Sequence, residues 1–390
     1  MQIDLSDARF GKGVPHEAFA YLRENEPVWW WPEGNGWVVT THELVETMNR
    51  DFETYSSSGG IVPPDGANIN PAVLLAMDPP VHTEYRRMVI KSFVPRSIAA
   101  IEAEIRSIAR KAIDDFVGNG GGDFVIEVAS AIPFRVMAML TGVPLSDERQ
   151  IMKWGNAVAP SADPDYRPVP DAAATANDAL SDYLGVQFEA RRRAPGDDLF
   201  SQLLSARHYD GSPLSEADLR GFGVNYLLGG TETTRNGIAQ SMITLLEHES
   251  ERQRLIAGDV DAMTATEELL RWTTPVMHHS RWPNATREVA GKTIKAGDRV
   301  TLWMISANRD PAAFERADVL DLGRSPNHHV ALGGGGPHFC LGSHLARLEI
   351  ALTFDELRPH LADLSFGAPP ERVQSNFING MKHLHLAVSK

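Results

Sequence analysis

The stretch Ala331-Leu-Gly-Gly-Gly-Gly-Pro-His-Phe-Cys340-Leu-Gly-Ser-His-Leu-Ala-Arg347 contains the only cysteine of this 390-residue chain. A lone thiol cannot form an internal disulfide, and it is too few for a structural zinc site built from several cysteines. A free cysteine can simply be a small buried hydrophobe. Here, however, four glycines before it allow the backbone to lie close to a flat ligand, and the helical pattern after it places free N–H groups at the thiol. The pattern predicts a soft metal ligand or a nucleophile.

The segment from Gly334 to Gly342 resembles the haem-binding loop of the cytochrome P-450 superfamily. In that loop glycines, a histidine or arginine two residues before the cysteine, and Cys-x-Gly recur. One position departs from the pattern, because Gly333 stands where the superfamily has a phenylalanine, with Leu332 beside it. In the superfamily that ring packs near the thiolate and influences the redox potential. The sequence therefore does not determine which side chain shields the thiolate.

Four further segments match superfamily landmarks, and they occur in the superfamily order. They are Asp78-Pro-Pro80-x-His82-x-x-x-Arg86-Arg87, Gly229-Gly230-Thr231-Glu232-Thr233-Thr234, Glu268-Leu-Leu-Arg271, and Ala307-Asn-Arg309-Asp-Pro311 with Phe314, Asp321 and Arg324. The resemblance implies a single domain over residues 1–390. Its fold class would be mainly α with a small β-sheet region, and a long central helix would cross the haem.

The composition excludes several classes of function. The net charge is −14, and the only basic cluster is 191–193, which we interpret as a solvated helix end; nucleic acid binding is therefore disfavoured. The N-terminus has no signal peptide, and no run of eighteen or more apolar residues could anchor the chain in a membrane. We expect a cytoplasmic protein without a membrane anchor, and the resemblance implies a bacterial one.

The chain also shows where its elements lie. Residues 28–31 and 36–40 read as two strands joined around Asn35-Gly36, and they predict a β-hairpin. The apolar run 299–305 is expected to add a strand to this hairpin. Proline and glycine predict loops at 57–75 and 161–170. Ser215 and Asp218 have the spacing of a capping box, so a helix is expected to run from there to about His248 and to cross the interior.

The central helix contains the candidate catalytic residues. Gly229 and Gly230 each cost on the order of 1 kcal/mol of stability relative to alanine in a helix interior. Close helix packing explains most such glycines. The functional alternative is that they let haem and dioxygen lie close to the helix backbone. Glu232 is either a surface residue or a proton donor. The resemblance implies that Thr233 donates a hydrogen bond to bound dioxygen while Glu232 relays protons from solvent.

The remaining cofactor contacts are also implied by the resemblance. Cys340 is the iron ligand of haem b, the only metal site expected. The haem propionates are expected to meet His82, Arg86, Arg281 and His338, since arginine suits carboxylate contact. Glu268 and Arg271 are expected to form a buried structural pair with Arg324. His278 and His279 would point to opposite faces of a strand and could not chelate one ion together.

These residues predict a haem-thiolate monooxygenase that inserts one oxygen atom of O2 into an apolar small molecule. No redox domain is expected within the chain, so electrons would come from an external ferredoxin or flavodoxin with an NAD(P)H-dependent reductase. A basic patch of Arg87, Lys91, Arg96 and Arg347 would dock an acidic ferredoxin. A peroxide-driven enzyme and a non-catalytic haem-binding sensor or carrier are the alternatives from other classes.

The motifs are most similar to those of bacterial members that hydroxylate sterol side chains, methyl-branched lipids and terpenoids. A small aromatic or another biosynthetic intermediate is the alternative substrate. The cavity is expected to involve 61–75, 161–170, 222–228, 276–278 and 377–381, whose lining is mostly apolar. The candidate substrate contacts are Ile61, Val73, Leu74, Tyr226, Val276, Met277, Phe377 and Met381.

Overall fold

The computed structural model describes residues 3–61 and 74–389. Most of the predicted loop at 57–75, including Val73, therefore lies outside the described residues. Helices dominate the described part of the chain, as the sequence predicts. They are α1 Asp7–Phe10, α2 His16–Asn25, α3 His42–Arg50, α4 Val81–Val89, α5 Pro95–Ala99, α6 Glu102–Gly118, α7 Ala131–Thr141, α8 Glu148–Val158, α9 Ala172–Arg193, α10 Leu199–Ser205, α11 Glu216–Val224, α12 Gly230–Glu247, α13 Glu249–Ala257, α14 Ala262–Thr273, α15 Met304–Ala307 and α16 Ser343–Leu357.

The strands are short and form small sheets. They are β1 Val28–Trp31, β2 Gly36–Val39, β3 Tyr55–Ser56, β4 Gly121–Asp123, β5 His279–Pro283, β6 Arg287–Val289, β7 Lys292–Ile294, β8 Val300–Leu302, β9 Leu364–Phe366, β10 Glu371–Arg372, β11 Met381–His383 and β12 His385–Val388. The largest sheet has the order β1-β2-β8-β5-β3, and smaller sheets are β4-β12-β9, β10-β11 and β6-β7.

The predicted hairpin and its third strand are confirmed. β1 and β2 pair antiparallel, and Asn35 takes a positive φ of 45° in the connection. β8 joins β2 in parallel, with Trp37 opposite Val300. The strand is shorter than the apolar run 299–305, because the chain enters α15 at Met304.

The long central helix is also confirmed, with a local change of winding that the sequence does not reveal. It begins at the capping box, in which the Ser215 hydroxyl accepts from the N–H of Asp218 and the Asp218 carboxylate accepts from the N–H of Ser215. α11 then passes into a π-helical segment, Asn225–Gly229, before α12 continues. Such wider turns are often found at functional sites. Most of α12 is buried, so the helix crosses the interior as expected.

Packing around α12 positions the region that follows Cys340. α12 contacts α7, α14 and α16, and their buried side chains form a common apolar core. α16 begins at Ser343, three residues after the cysteine. The loop that carries Cys340 is therefore fixed at its C-terminal end by a buried helix.

One surface prediction is wrong. Arg191, expected at a solvated helix end, has only 7% of its surface exposed. Its guanidinium pairs with the Asp198 carboxylate at 3.0 Å and donates to the Thr141 carbonyl at 2.7 Å. In the part of the chain that the structure describes, no helix combines the length and the apolar character needed to cross a bilayer.

Candidate active site

The loop before Cys340 requires its glycines. Gly333, Gly334, Gly335 and Gly336 have φ values of 101°, 62°, 97° and 76°, a region that side chains strongly disfavour. A Cβ at Gly333 would also lie 3.4 Å from the carbonyl oxygen of His338. The positive φ at Gly333 is a physical reason for a glycine at the position where the superfamily has a phenylalanine.

The thiol of Cys340 is held in a defined position. The backbone N–H of Cys340 donates to the Leu332 carbonyl at 3.0 Å, and this hydrogen bond joins the two ends of the glycine loop. Burial raises the pKa of the Cys340 thiol, while a hydrogen bond from the Gly342 N–H and the charge of Arg86 act in the opposite direction. A strong positive charge at the sulfur would be needed to stabilise the thiolate, and a bound metal ion supplies one.

The four residues predicted to bind propionates converge beside this loop. The rings of His82 and His338 lie 4.3 Å apart between centroids. The Arg86 guanidinium donates to the Phe339 carbonyl at 2.7 Å, and that of Arg281 donates to the Asn49 side chain at 2.8 Å. These four side chains come from α4, β5 and the cysteine loop, which are far apart in sequence.

The cluster is short of acceptors and of negative charge. Both ring nitrogens of His82 and the Nε2 of His338 are buried, and the described residues offer them no hydrogen-bond partner. Burial, with a contribution from Arg86, lowers the pKa of His82 to about 4, and burial lowers the pKa of Arg281 to about 10. Unpaired buried polar atoms are costly unless a ligand satisfies them. Two carboxylates, as haem propionates supply, fit this donor set.

His279 is an additional member that sequence reasoning missed. Burial, followed by the charge of Arg281, lowers the pKa of His279 to about 3, and His279 in turn lowers the pKa of His338. The ring of His278 lies against Trp303, with centroids 4.3 Å apart and planes tilted by 38°. The rings of His278 and His279 both lie near Phe377, at 5.4 and 6.5 Å between centroids.

The two glycines of the central helix have different surroundings. Gly229 is exposed although it lies in the middle of a long helix, and a Cβ added there would meet no atom of residues 3–61 and 74–389 within 4 Å. A Cβ at Gly230 would lie 2.7 Å from the Met137 sulfur of α7. Gly229 therefore faces open space and remains a candidate for haem contact. Close helix packing is sufficient to explain Gly230, whose predicted cofactor contact stays a prediction.

The threonine predicted to be catalytic lies next to this open space. The Thr233 hydroxyl donates to the carbonyl of Gly229 at 2.8 Å, one turn earlier on the helix. Thr231 bonds back to Leu227 in the same way but is only 1% exposed. Of these two hydroxyl groups, that of Thr233 is the accessible one.

Glu232 is an inward carboxylate with partners that were not predicted. Its side chain is 12% exposed, and its Oε1 lies 3.1 Å from the guanidinium of Arg235, which donates to Asn156 on α8 at 2.8 Å. Burial raises the pKa of Glu232, while the charges of Arg235 and Arg167 oppose this shift. The i, i+3 spacing of Glu232 and Arg235 is the only signal that the sequence offered for this network.

The expected structural pair is confirmed. Glu268 and Arg271 are fully buried and 2.7 Å apart, and the Arg324 guanidinium lies 3.1 Å from the same carboxylate. Arg271 also donates to the carbonyls of Asn308 and Ala317. Because the pair is desolvated and fully hydrogen-bonded, it fixes the segment that leads into the cysteine loop.

The predicted substrate contacts divide into two groups. Ile61, Leu74 and Phe377 are 7%, 7% and 6% exposed, and they belong to none of the four hydrophobic clusters formed by the described residues. Val276 is partly buried against the sheet and pairs with Ile378. Val73 is outside the described residues.

Three predicted substrate contacts are core residues instead. Met277 and Met381 are 0% exposed, so no solvent-sized molecule reaches them. Tyr226 is 5% exposed and packs between Phe93 and Phe222. An apolar residue in a loop or strand has the same sequence signal whether it faces a cavity or a core, which explains these errors.

A buried carboxyl on α16 was also missed. Glu349 is 0% exposed, and neither carboxylate oxygen has a partner among the described residues. Burial raises the pKa of Glu349 well above its ordinary value. Burial therefore favours the protonated form of Glu349, because an isolated buried anion is far more costly than a buried acid.

Comparisons with known proteins agree with this arrangement. Residues 6–357 match the family model described as cytochrome P-450. A steroid C26-monooxygenase of Mycobacterium tuberculosis is 33% identical over 97% of this chain and 91% of its own length. A methyl-branched lipid omega-hydroxylase of the same species is 35% identical over 94% and 89%. A Mycobacterium marinum cytochrome P-450 in complex with pseudoionone has a TM-score of 0.92 and 34% identity, covering 99% of this chain and 98% of that one. This chain belongs to the cytochrome P-450 family.

Proposed function

We propose that this cytochrome P-450 monooxygenase binds haem b with Cys340 as the iron ligand and hydroxylates an apolar steroid, terpenoid or methyl-branched lipid. The observation that carries the proposal is the geometry around the cysteine loop. A single thiol on a closed glycine loop adjoins two arginines and two histidines with buried ring nitrogens that lack partners among the described residues. A haem fits both the thiol and the polar cluster, because its iron binds a thiolate and its two carboxylates pair with polar side chains.

Each residue of the site has a separate task in this proposal. When bound, the haem supplies the activation of dioxygen and the transfer of one oxygen atom. His82, Arg86, Arg281 and His338 would hold its carboxylates. The Gly229 face leaves room above the central helix, where the Thr233 hydroxyl donates and accepts hydrogen bonds. Glu232, with a pKa raised by burial, exchanges protons with solvent through its exposed edge.

The substrate class rests on the lining and on the relatives. The candidate contacts outside the apolar cores are Ile61, Leu74 and Phe377, and Val276 packs against one core; none of the four carries a charge. Two relatives are named for steroids and methyl-branched lipids. A Bacillus megaterium protein solved with testosterone is 30% identical with a TM-score of 0.88. These agree in a bulky substrate that is largely apolar.

A ligand panel tests the substrate class. Purified ferric protein is titrated with a steroid, an acyclic terpenoid, a methyl-branched fatty acid and a small aromatic, and the change of iron spin state is followed by absorption. We expect saturable shifts with one of the first three and product with a reconstituted electron source. If only the small aromatic is turned over, the proposed substrate class is wrong and the alternative, a small aromatic, is supported.

Substitution of the thiol tests the site. Cys340→Ser should abolish the thiolate-type absorption of the reduced carbon monoxide complex, because no second cysteine is available. Circular dichroism and residual haem content separate loss of ligation from loss of folding. A variant that keeps the thiolate spectrum would exclude Cys340 as the ligand.

We further propose that the redox partner is an acidic ferredoxin that docks on exposed basic residues of α5 and the turn before it. Lys91 and Arg96 are exposed, and the described residues provide no ion-pair partner for either. The other two residues expected in this patch are engaged. Arg87 stacks on Tyr209 at 4.5 Å, and Arg347 pairs with Glu267 at 2.6 Å. Lys91 and Arg96 therefore carry the docking proposal.

A further inference from the structure

A second group of metal-ligand residues lies apart from the cysteine loop, near the C-terminus. Ligand atoms of Asp123, His383 and His385 all lie within 4.8 Å of one another. The residues come from β4, β11 and β12, so the cluster joins a segment near residue 120 to the end of the chain. None of the three has a role in the function proposed above.

The two histidines face the same way because of the strand period. Leu384 and Leu386 are buried at 0% and 3%, so the alternating residues His383 and His385 project outward. Their rings are nearly parallel, with centroids 6.0 Å apart and an interplanar angle of 9°. Asp123 is the direct antiparallel neighbour of His385, and such neighbours project to the same face.

The backbone holds one oxygen of the Asp123 carboxylate, and the other oxygen meets His383, a contact that a shared metal ion would replace. Asp123 Oδ1 accepts from the N–H groups of Val125 at 3.1 Å and Leu384 at 3.2 Å. Its Oδ2 lies 2.6 Å from Nδ1 of His383. The Asp123 side chain is 10% exposed and that of His383 is 42% exposed. Such orienting hydrogen bonds are typical of carboxylates that bind metals.

From this arrangement we propose that Asp123, His383 and His385 form a binding site for a divalent transition metal ion of the zinc type. Two imidazoles and a carboxylate favour zinc over magnesium or calcium, which prefer oxygen ligands alone. Zinc with bonds of about 2.0–2.2 Å holds its ligand atoms about 3.3–3.6 Å apart. The ligand atoms in the structure lie within 4.8 Å of one another, and a rotation of the exposed His385 ring would bring its nitrogen closer to the other two. Glu371, opposite His383 on β10, adds negative charge on this strand pair.

The site would tie together two sheets. His383 pairs with β10, whereas His385 pairs with β4, so the ion would connect β10-β11 to β4-β12-β9. β11 directly follows the segment that contains Phe377. Metal binding would therefore stabilise the C-terminal strands against local unfolding, because a ligand that binds only the folded state raises its stability.

Zinc titration of the holoenzyme tests the proposal. After treatment with a chelator and buffer exchange, ZnCl2 is titrated by calorimetry, and the thermal midpoint is measured with and without zinc. We expect one equivalent to bind and the midpoint to rise. His385→Gln and Asp123→Asn should each weaken zinc binding by about tenfold or more. Asp123→Asn keeps an oxygen for the two backbone N–H groups, so it isolates the loss of the anionic ligand.

A matched histidine substitution elsewhere serves as the control. His360→Gln, on a helical turn outside this cluster, should bind zinc as the wild type does. Crystals soaked in zinc should show anomalous density between the three side chains. The proposal is overturned if the wild type binds no zinc, or if the cluster variants bind it as tightly as the His360 variant.

Discussion

At the scale of single residues, removing one hydroxyl group should separate reductant consumption from product formation. Thr233→Ala keeps the helix and the open face above Gly229 but deletes the accessible hydroxyl. We expect normal haem content and substrate affinity, with electrons diverted to hydrogen peroxide and a product yield per electron that falls several-fold. Thr233→Ser, which restores a hydroxyl, is the control. Unchanged coupling in the alanine variant would remove Thr233 from the mechanism.

Glu232→Gln tests the adjacent acid by a different readout. The amide keeps an acceptor for Arg235 but cannot transfer a proton, so turnover should slow by about 10²-fold or more while haem content remains normal. Turnover number and the solvent isotope effect are measured together with substrate affinity. An amide variant as fast as the wild type would exclude Glu232 as the proton relay.

Glu349 predicts a pH dependence of stability. Its folded-state pKa is raised above the unfolded value of about 4.3, so the folded protein keeps a proton that the unfolded chain releases above that pH. The free energy of unfolding should therefore fall as pH rises from about 4.3 toward the raised pKa, by up to about 1.4 kcal/mol per pH unit. Glu349→Gln stays neutral and should flatten this part of the profile in denaturant titrations at several pH values. Profiles of equal slope would show that Glu349 is not buried as an acid.

At the scale of elements, the central helix distinguishes its two adjacent glycines. Gly230→Ala places a methyl group against Met137 of α7, and such overpacking costs about 1–3 kcal/mol, partly offset by about 1 kcal/mol of helix propensity. Gly229→Ala meets no protein atom, so it should spare stability but alter the haem absorption spectrum and weaken carbon monoxide binding. Thermal unfolding and ligand titration of both variants measure the contrast. Reversed effects would mean that Gly230, not Gly229, faces the haem.

At the scale of the whole molecule, charge determines which surface meets the redox partner. The chain has a net charge of −14, yet Lys91 and Arg96 are exposed cations. Lys91→Glu and Arg96→Glu should slow reduction by an acidic ferredoxin without changing substrate affinity, and added salt should reduce the difference. Arg347→Glu is unsuitable as a docking probe, because it breaks a pair with Glu267. Reduction rates that respond neither to charge reversal nor to salt would exclude electrostatic docking.

The sequence by itself determined the family, the fold class, the thiol, the hairpin and the long central helix. These properties depend on features that are local in the sequence: the glycines before a cysteine, the periodicity of apolar residues, a capping box and short motifs. The ion pair of Glu268 with Arg271 also follows from its i, i+3 spacing and the resemblance.

Only the tertiary structure decided which face each residue occupies. Gly229 and Gly230 are equivalent in sequence, but α7 packs against one and leaves the other open. Met277 and Met381 have the apolar signal of a cavity wall, yet they are buried in cores. His279 lies beside Arg281 and His338, and Asp123 meets His383 and His385, only because segments distant in sequence come together. Burial, pKa shifts and ligand clusters arise from such non-local contacts, which a linear pattern does not encode.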